Sequence, residues 1–238
     1  MKILSLECSA KAASVAITDN GKLLSEFYSN IGLTHSQTLL PMADSALKAS
    51  GLELSDIDAF AISKGPGSFT GLRIGISAIK GLAIADNKPC VGVSTLEAIA
   101  EAAAHFKGII VATMDARCRQ FYSAIFSSDG ASLKRIMEDS ALSFEELLEE
   151  IQKAKEGKGE KVLVLGDGSE VFMKLLGEAP DILVADEKIR FQSARFVSKV
   201  AEREIEEGKA VSSCELLPLY LRLPQAEREL KKKLEEQK

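Results

Sequence analysis

Residues 64–75 read Lys-Gly-Pro-Gly-Ser-Phe-Thr-Gly-Leu-Arg-Ile-Gly, between a short apolar run and a helical stretch rich in small residues. At such a junction an α/β protein holds phosphate, because free backbone N–H groups and the helix dipole both favour an anion. As a phosphate cradle the loop offers Gly65, Gly67, Ser68 and Thr70, with the charge of Arg73 behind them. It matches neither standard nucleotide fingerprint. A P-loop ends in Gly-Lys-Ser/Thr, whereas Gly71 precedes Leu72 and Arg73; the third glycine of a dinucleotide loop falls on Thr70. The same residues also read as a structural device: the glycines permit a sharp bend, Pro66 stiffens it, and Ser68 or Thr70 caps the next helix.

Other chemistry-bearing residues are sparse. The only histidines are His35 and His105, and a catalytic metal generally takes three protein ligands, often with a His pair at helical spacing. His35 falls at a helix start and His105 at a helix end. No metal site and no catalytic residue are assigned. Cys8, Cys90, Cys118 and Cys214 are scattered with no Cys-x-x-Cys pair, which fits reduced thiols. Cys118 lies between two arginines, but on a strand neighbouring side chains point to opposite faces, so both cations do not crowd the thiol. Asp115-Ala-Arg117 ends an apolar strand, a common place for ligand contacts. Glu7 ends another and can face Asp115 across a cleft.

The elements that must position these residues follow from pattern. Residues 3–6, 14–18 and 22–28 have strand character, the last two joined by Asp19-Asn20-Gly21, a hairpin turn signal. A helix over 34–50, a strand over 57–63, the glycine loop, a helix to 85, a strand near 91 and a helix over 95–105 come next. From Gly108 the pattern repeats. Strands are expected over 109–113, 120–126 and 132–136, then a helix over 143–154 with a capping box from Ser143 to Glu146. A strand over 162–165 ends in Gly166-Asp-Gly168, and a helix over 193–207 stops at Gly208. After Pro224 a last helix, 225–238, carries Lys231-Lys-Lys233 on a solvated face. Two β-β-β-α-β-α units imply a duplicated α/β architecture, the actin-like ATPase (ribonuclease H-like) fold, with domains at 1–106 and 107–222 and the terminal helix at 223–238.

Composition narrows the function classes. The chain has 238 residues, 46% hydrophobic, enough to bury a full core. Its formal net charge is −5, which argues against gripping nucleic acid unaided, since phosphate neutralisation supplies most non-specific affinity. No apolar stretch approaches the roughly 18 residues of a membrane span, and the start is not a secretory signal, so a cytoplasmic protein is expected.

The clue to partnership lies in two helices. Gly71, Gly75, Ala78, Leu82 and Ala85 make one side of the helix after the loop nearly flat. An interior glycine costs about 1 kcal/mol relative to alanine, so close helix approach is expected there. The preceding helix offers Leu39, Met42, Ala43, Ala46 and Leu47, with Pro41 as a potential kink. Packing within the chain's own core and docking of a partner both explain such faces.

His35-Ser-Gln-Thr-Leu-Leu-Pro-Met42, the stretch from Ser63 through the loop to Gly75, Val91-Gly-Val-Ser-Thr-Leu-Glu-Ala98 and Asp115-Ala-Arg117 occur in this order. Together they resemble the TsaB (YeaZ) family, accessory subunits of the bacterial machinery that makes threonylcarbamoyladenosine in tRNA. The similarity is strong over the first half and thin over the second. Leu6-Glu7-Cys8-Ser9 departs from the Asp-Thr-Ser usual in that family. Where the paralogous catalytic subunit TsaD carries His-x-x-x-His, this chain has Thr95-Leu-Glu-Ala-Ile99.

The resemblance implies a non-catalytic scaffold that binds TsaD, with TsaE docking on the pair and TsaC supplying the activated threonylcarbamoyl adenylate. TsaD then modifies adenosine 37 of tRNAs reading codons that begin with A, so tRNA is met only through the complex. The interface it implies is His35, Leu39, Met42, Ala43, Ala46, Gly71, Gly75, Ala78 and Leu82, used for TsaD or for a second copy of the chain. No cofactor is required by this reading, and weak ATP or ADP binding is compatible with it. The alternatives are a phosphotransferase of the actin-like superfamily and a nucleotide-sensing homodimer. A metallopeptidase lacks ligands.

Overall fold

The computed structural model describes residues 1–155 and 161–222; the expected helix over 225–238 and its lysine run lie outside them. Three strands open the chain, β1 (Lys2–Glu7), β2 (Ala13–Asp19) and β3 (Lys22–Ser29). The tight turn between the last two places Asn20 and Gly21 at φ 47° and 75°, the left-handed conformations that make Asn-Gly a hairpin signal. Helix α1 (His35–Ser50), strand β4 (Ala59–Gly65), helix α2 (Phe69–Ile84), strand β5 (Cys90–Ser94) and helix α3 (Thr95–Glu101) complete the first half. The five strands form one sheet in the order β3-β2-β1-β4-β5. Leu4, Leu6 and Ile62 are fully buried, since central strands covered on both faces read as continuous apolar runs.

The second half repeats the first. It contains β6 (Lys107–Asp115), β7 (Gln120–Asp129), β8 (Leu133–Ser143), α4 (Phe144–Lys155), β9 (Val162–Leu165), α5 (Ser169–Leu176) and β10 (Ile182–Val184). Its sheet order, β10-β9-β6-β7-β8, matches the first with each strand in the equivalent place. This is the duplicated actin-like arrangement. Short helix α6 (Glu187–Arg190) and helix α7 (Ala194–Glu206) follow.

Several elements differ from expectation. Strand β8 runs to Ser143 rather than 136, because its alternation of exposed and half-buried residues is that of an edge strand with one wet face. Strand β10 was not anticipated, three residues being too short to register as a pattern. Helix α3 ends at Glu101 and continues to 105 only as turns, with Ala102 and Ala103 bonded to the carbonyls three residues earlier. Cys118 lies in a turn, not on a strand: Arg117, Cys118 and Arg119 take φ of 64°, 55° and 57°.

Helices from each half cross the expected division at residue 107. Helix α7 packs on the first sheet, where Val197, Val200 and Ala201 join Ile3, Ala61 and Val93 in one buried cluster. Helix α3 faces the second sheet, Leu96 and Ile99 packing with Ile110 and Leu163. The two helices thus lie between the sheets and knit the halves together. Ion pairs reinforce the seam: Arg135 on β8 bonds Glu97 on α3 and Asp139, each at 2.6 Å, and Arg203 on α7 reaches the same Glu97. Helices α1 and α2 cover the opposite face of the first sheet, and α4 and α5 that of the second. Among the described residues no helix is long and apolar enough to cross a membrane.

Candidate functional site

The ends of β1 and β6 and the glycine loop meet at a cleft of about 640 Å³ between the halves, lined by Ser9, Gly67, Ser68, Thr70, Asp115, Asp167 and neighbouring residues. Glu7, two residues before the cleft-lining Ser9, is fully buried and not itself part of the lining. Ser9 donates both its backbone N–H and its hydroxyl to one Glu7 oxygen, at 2.6 and 2.5 Å, and the Ser63 hydroxyl donates to the other. These bonds occupy both carboxylate oxygens. Burial pushes the Glu7 carboxyl upward against the three hydrogen bonds. Among the described residues no three His, Cys, Asp or Glu side chains come together as a metal ion would need.

The glycine loop serves first as structure. Ser68 caps α2, its hydroxyl accepting from Gly71 N–H at 3.2 Å, while its own N–H goes to the Ser9 carbonyl at 2.6 Å. Gly67 and Thr70 reach the cleft wall. Gly65 does not: it is buried at φ 128°, and a Cβ there would lie 2.2 Å from the Leu219 carbonyl oxygen. Arg73 is held by aromatic neighbours. Its guanidinium stacks 3.8 Å over the Phe69 ring, and Nε donates to the Tyr220 hydroxyl at 3.0 Å. Of the residues expected to cradle phosphate, Gly67, Ser68 and Thr70 line the cleft, while the Ser68 N–H is engaged by Ser9 and Arg73 by Phe69 and Tyr220.

Asp167, just before α5, is an acid of the cleft wall. Burial pushes its carboxyl up to about 6, the negative charges of Asp115 and Glu7 act in the same sense, and the 2.7 Å bond from Gln192 Nε2 opposes them. Such an acid binds its proton more readily in the folded chain. It stabilises the fold at acid pH, and that contribution is lost as pH rises from near 4 to about 6. Asp167→Asn is expected to raise the unfolding free energy at pH 7 by about 2 kcal/mol and to change it little at pH 4. Urea titrations of both proteins at the two pH values check this.

The predicted histidines split. His35 opens α1 and bonds the Ala10 carbonyl through Nε2 at 2.8 Å, so it ties the helix to the β1–β2 loop as a first-turn residue. His105 is exposed in the turn after α3. Thr95 and Ile99 point into the core, 0% and 2% exposed, so the helix face that would carry a His pair is packed. Asp115 accepts from the Arg117 N–H at 2.7 Å, which fixes the turn leading into β7.

The residues expected at an interface divide by burial. Leu39, Ala43, Ala46, Gly71 and Gly75 are buried in the chain's own interior. A Cβ on Gly71 would lie 2.2 Å from the Cys8 carbonyl oxygen, and one on Gly75 would lie 2.4 Å from both Cys8 Sγ and Ile62 Cδ1. The glycines let α2 lie directly on β1 and β4, not on a partner. His35, Met42, Ala78 and Leu82 remain half-buried. Between α1 and α2 an open apolar groove of about 470 Å³ is lined by His35, Ser36, Leu39, Leu40, Arg73, Ile74, Ser77 and Ala78. Leu40, 48% exposed, and Ile74 went unnoticed in the sequence. A signal existed in their helical spacing beside polar Ser36 and Ser77, but exposure is not written there.

The family model described as "TsaD: tRNA N6-adenosine threonylcarbamoyltransferase" matches residues 29–233. The chain is 34% identical to the tRNA threonylcarbamoyladenosine biosynthesis protein TsaB of Escherichia coli (strain K12) over 224 residues, 93% of this chain and 95% of that protein. It is 36% identical over 111 residues to a tRNA N6-adenosine threonylcarbamoyltransferase of Kosmotoga olearia, a match spanning 40% of this chain and 34% of the other. The solved structure "YeaZ from Pseudomonas aeruginosa" superposes with a TM-score of 0.79 at 28% identity, covering 92% of this chain and 99% of that one. With the family model spanning most of the chain and 34% identity over nearly all of the E. coli protein, the chain belongs to the TsaB family of tRNA threonylcarbamoyladenosine biosynthesis proteins.

Proposed function

We propose that this chain is a scaffold subunit that binds and activates a TsaD-type threonylcarbamoyltransferase, which modifies adenosine 37 of tRNAs reading codons that begin with A. The observation that carries the reading is the apolar groove between α1 and α2, open to solvent and rimmed by Leu40 and Ile74. Segment similarity to a transferase supports it, because two proteins sharing these helices can pair them about a near-twofold axis, as in an isologous contact. A second copy of the chain can occupy the groove in the same way when the transferase is absent. TsaE then docks on the assembled pair, and tRNA is held by the complex, consistent with the net charge of −5.

The sealed carboxylate of Glu7 and the packed positions of Thr95 and Ile99 speak for a supporting role over chemistry of the chain's own. Nucleotide is not required by this proposal. Any ATP or ADP taken by the cleft is held weakly, since Arg73 and two loop N–H groups are already engaged. The test is reconstitution of tRNA modification from purified proteins with and without this chain. Modified adenosine should form only when it is present; full modification in its absence defeats the proposal.

A further inference from the structure

A strap of chain crosses the boundary between the cleft and the groove. After α7 the backbone follows the edge of the first sheet, where Val211 and Cys90 exchange two hydrogen bonds of 2.8 Å. Leu216 buries its side chain in the core of the first half. Leu219 then donates its N–H to the Lys64 carbonyl at 2.7 Å. Tyr220 stacks on Phe69 with ring centroids 4.6 Å apart. Arg222 reaches the second half, Nη1 donating to the Ala116 carbonyl at 2.9 Å. Residues 219–222 therefore form one wall of the cleft and are bonded to both of its sides.

Arg73 belongs to both places at once. It borders the groove, and it holds the Phe69–Tyr220 pair through its ring contact and its bond to the Tyr220 hydroxyl. In the free chain this guanidinium is exposed, so water weakens its attraction to the ring. A cation over an aromatic face gains severalfold when water is removed.

We propose that a protein docking in the α1–α2 groove covers Arg73 and thereby tightens the strap, fixing residues 219–222 against both walls of the cleft. This rests on the reading that the transferase docks in that groove. Tightening and docking are one coupling, so a change that weakens the stack weakens docking by the same factor.

The test is hydrogen exchange on the full chain, alone and with the purified transferase. Exchange at the Leu219 amide should slow by about five- to tenfold in the complex. Tyr220 does not line the groove, so Tyr220→Leu should still bind the transferase, but without the added protection and with a dissociation constant raised by the same factor. Tyr220→Phe keeps the stack on Phe69 but loses the bond from Arg73 Nε, so both effects should shrink without vanishing. Unchanged or faster Leu219 exchange in the wild-type complex overturns the coupling and leaves the docking reading intact, and so does wild-type affinity in Tyr220→Leu. Failure of the wild-type chain to bind the transferase overturns the docking reading and the coupling together.

Discussion

Replacing Gly75 by leucine is expected to destabilise the chain by about 3 kcal/mol or more, at the upper end of what overpacking a close-packed interior costs. The Cβ alone would approach Cys8 Sγ and Ile62 Cδ1 to 2.4 Å; Ile62 lies on central strand β4, Cys8 directly follows β1, and both are fully buried. Cys8 is further held by its thiol's 3.2 Å contact with the Gly71 carbonyl. A control sits on the same helix. Gly81 is exposed, with nothing within 4 Å of an added Cβ, so Gly81→Ala should stabilise by up to about 1 kcal/mol through helix propensity. Urea midpoints of the two variants should therefore move in opposite directions. A Gly75→Leu protein as stable as wild type would mean that α2 does not rest on β1 and β4 as described.

The second large effect concerns binding. The double variant Leu40→Glu, Ile74→Glu places two carboxylates on the rim of the apolar groove, and transferase affinity should fall at least about 100-fold, the loss expected when anchor contacts are replaced by charges that must be desolvated. Stability should fall by only about 1–2 kcal/mol, most of it from Ile74, which is half-buried against the first core, whereas Leu40 is 48% exposed and exposed helix positions tolerate substitution. Titration calorimetry with the purified transferase measures the first quantity and urea unfolding the second. Wild-type affinity in the double variant would move the docking surface elsewhere. Reconstituted tRNA modification should fall in parallel, since the proposal routes activation through this contact.

The two variants also show where sequence reasoning succeeded and where it did not. The spacing of Gly71, Gly75 and Ala78 predicted that something lies close against α2, and something does. The partner is the chain's own first sheet. Small residues at helical spacing report close approach without reporting what approaches, because a sheet and a foreign helix make the same demand on Cβ volume. Leu40 and Ile74 show the converse. As ordinary aliphatic residues they resemble core positions, and only the placement of α1 beside α2 leaves them facing water.

The cleft divides in the same manner. The cap formed by Ser68 was legible in the order Gly-Ser-Phe-Thr-Gly, since a hydroxyl before a helical run accepts a first-turn N–H. That Arg73 bonds Tyr220 was not, because that phenol lies 147 positions away. Asp167 was visible only as part of a loop, and its raised proton affinity comes from burial and from Asp115 and Glu7, groups far from it in sequence.

By itself the sequence determined the repeated strand and helix order, the hairpin at Asn20-Gly21, the capped glycine loop and the family. These are carried by residues close along the chain, whose backbone preferences act locally. Only the tertiary structure decided that α7 returns to the first sheet, that the glycine face of α2 is interior, and that residues 219–222 wall the cleft. Each of those depends on which surfaces of separate elements exclude water from one another, and no local preference encodes that choice.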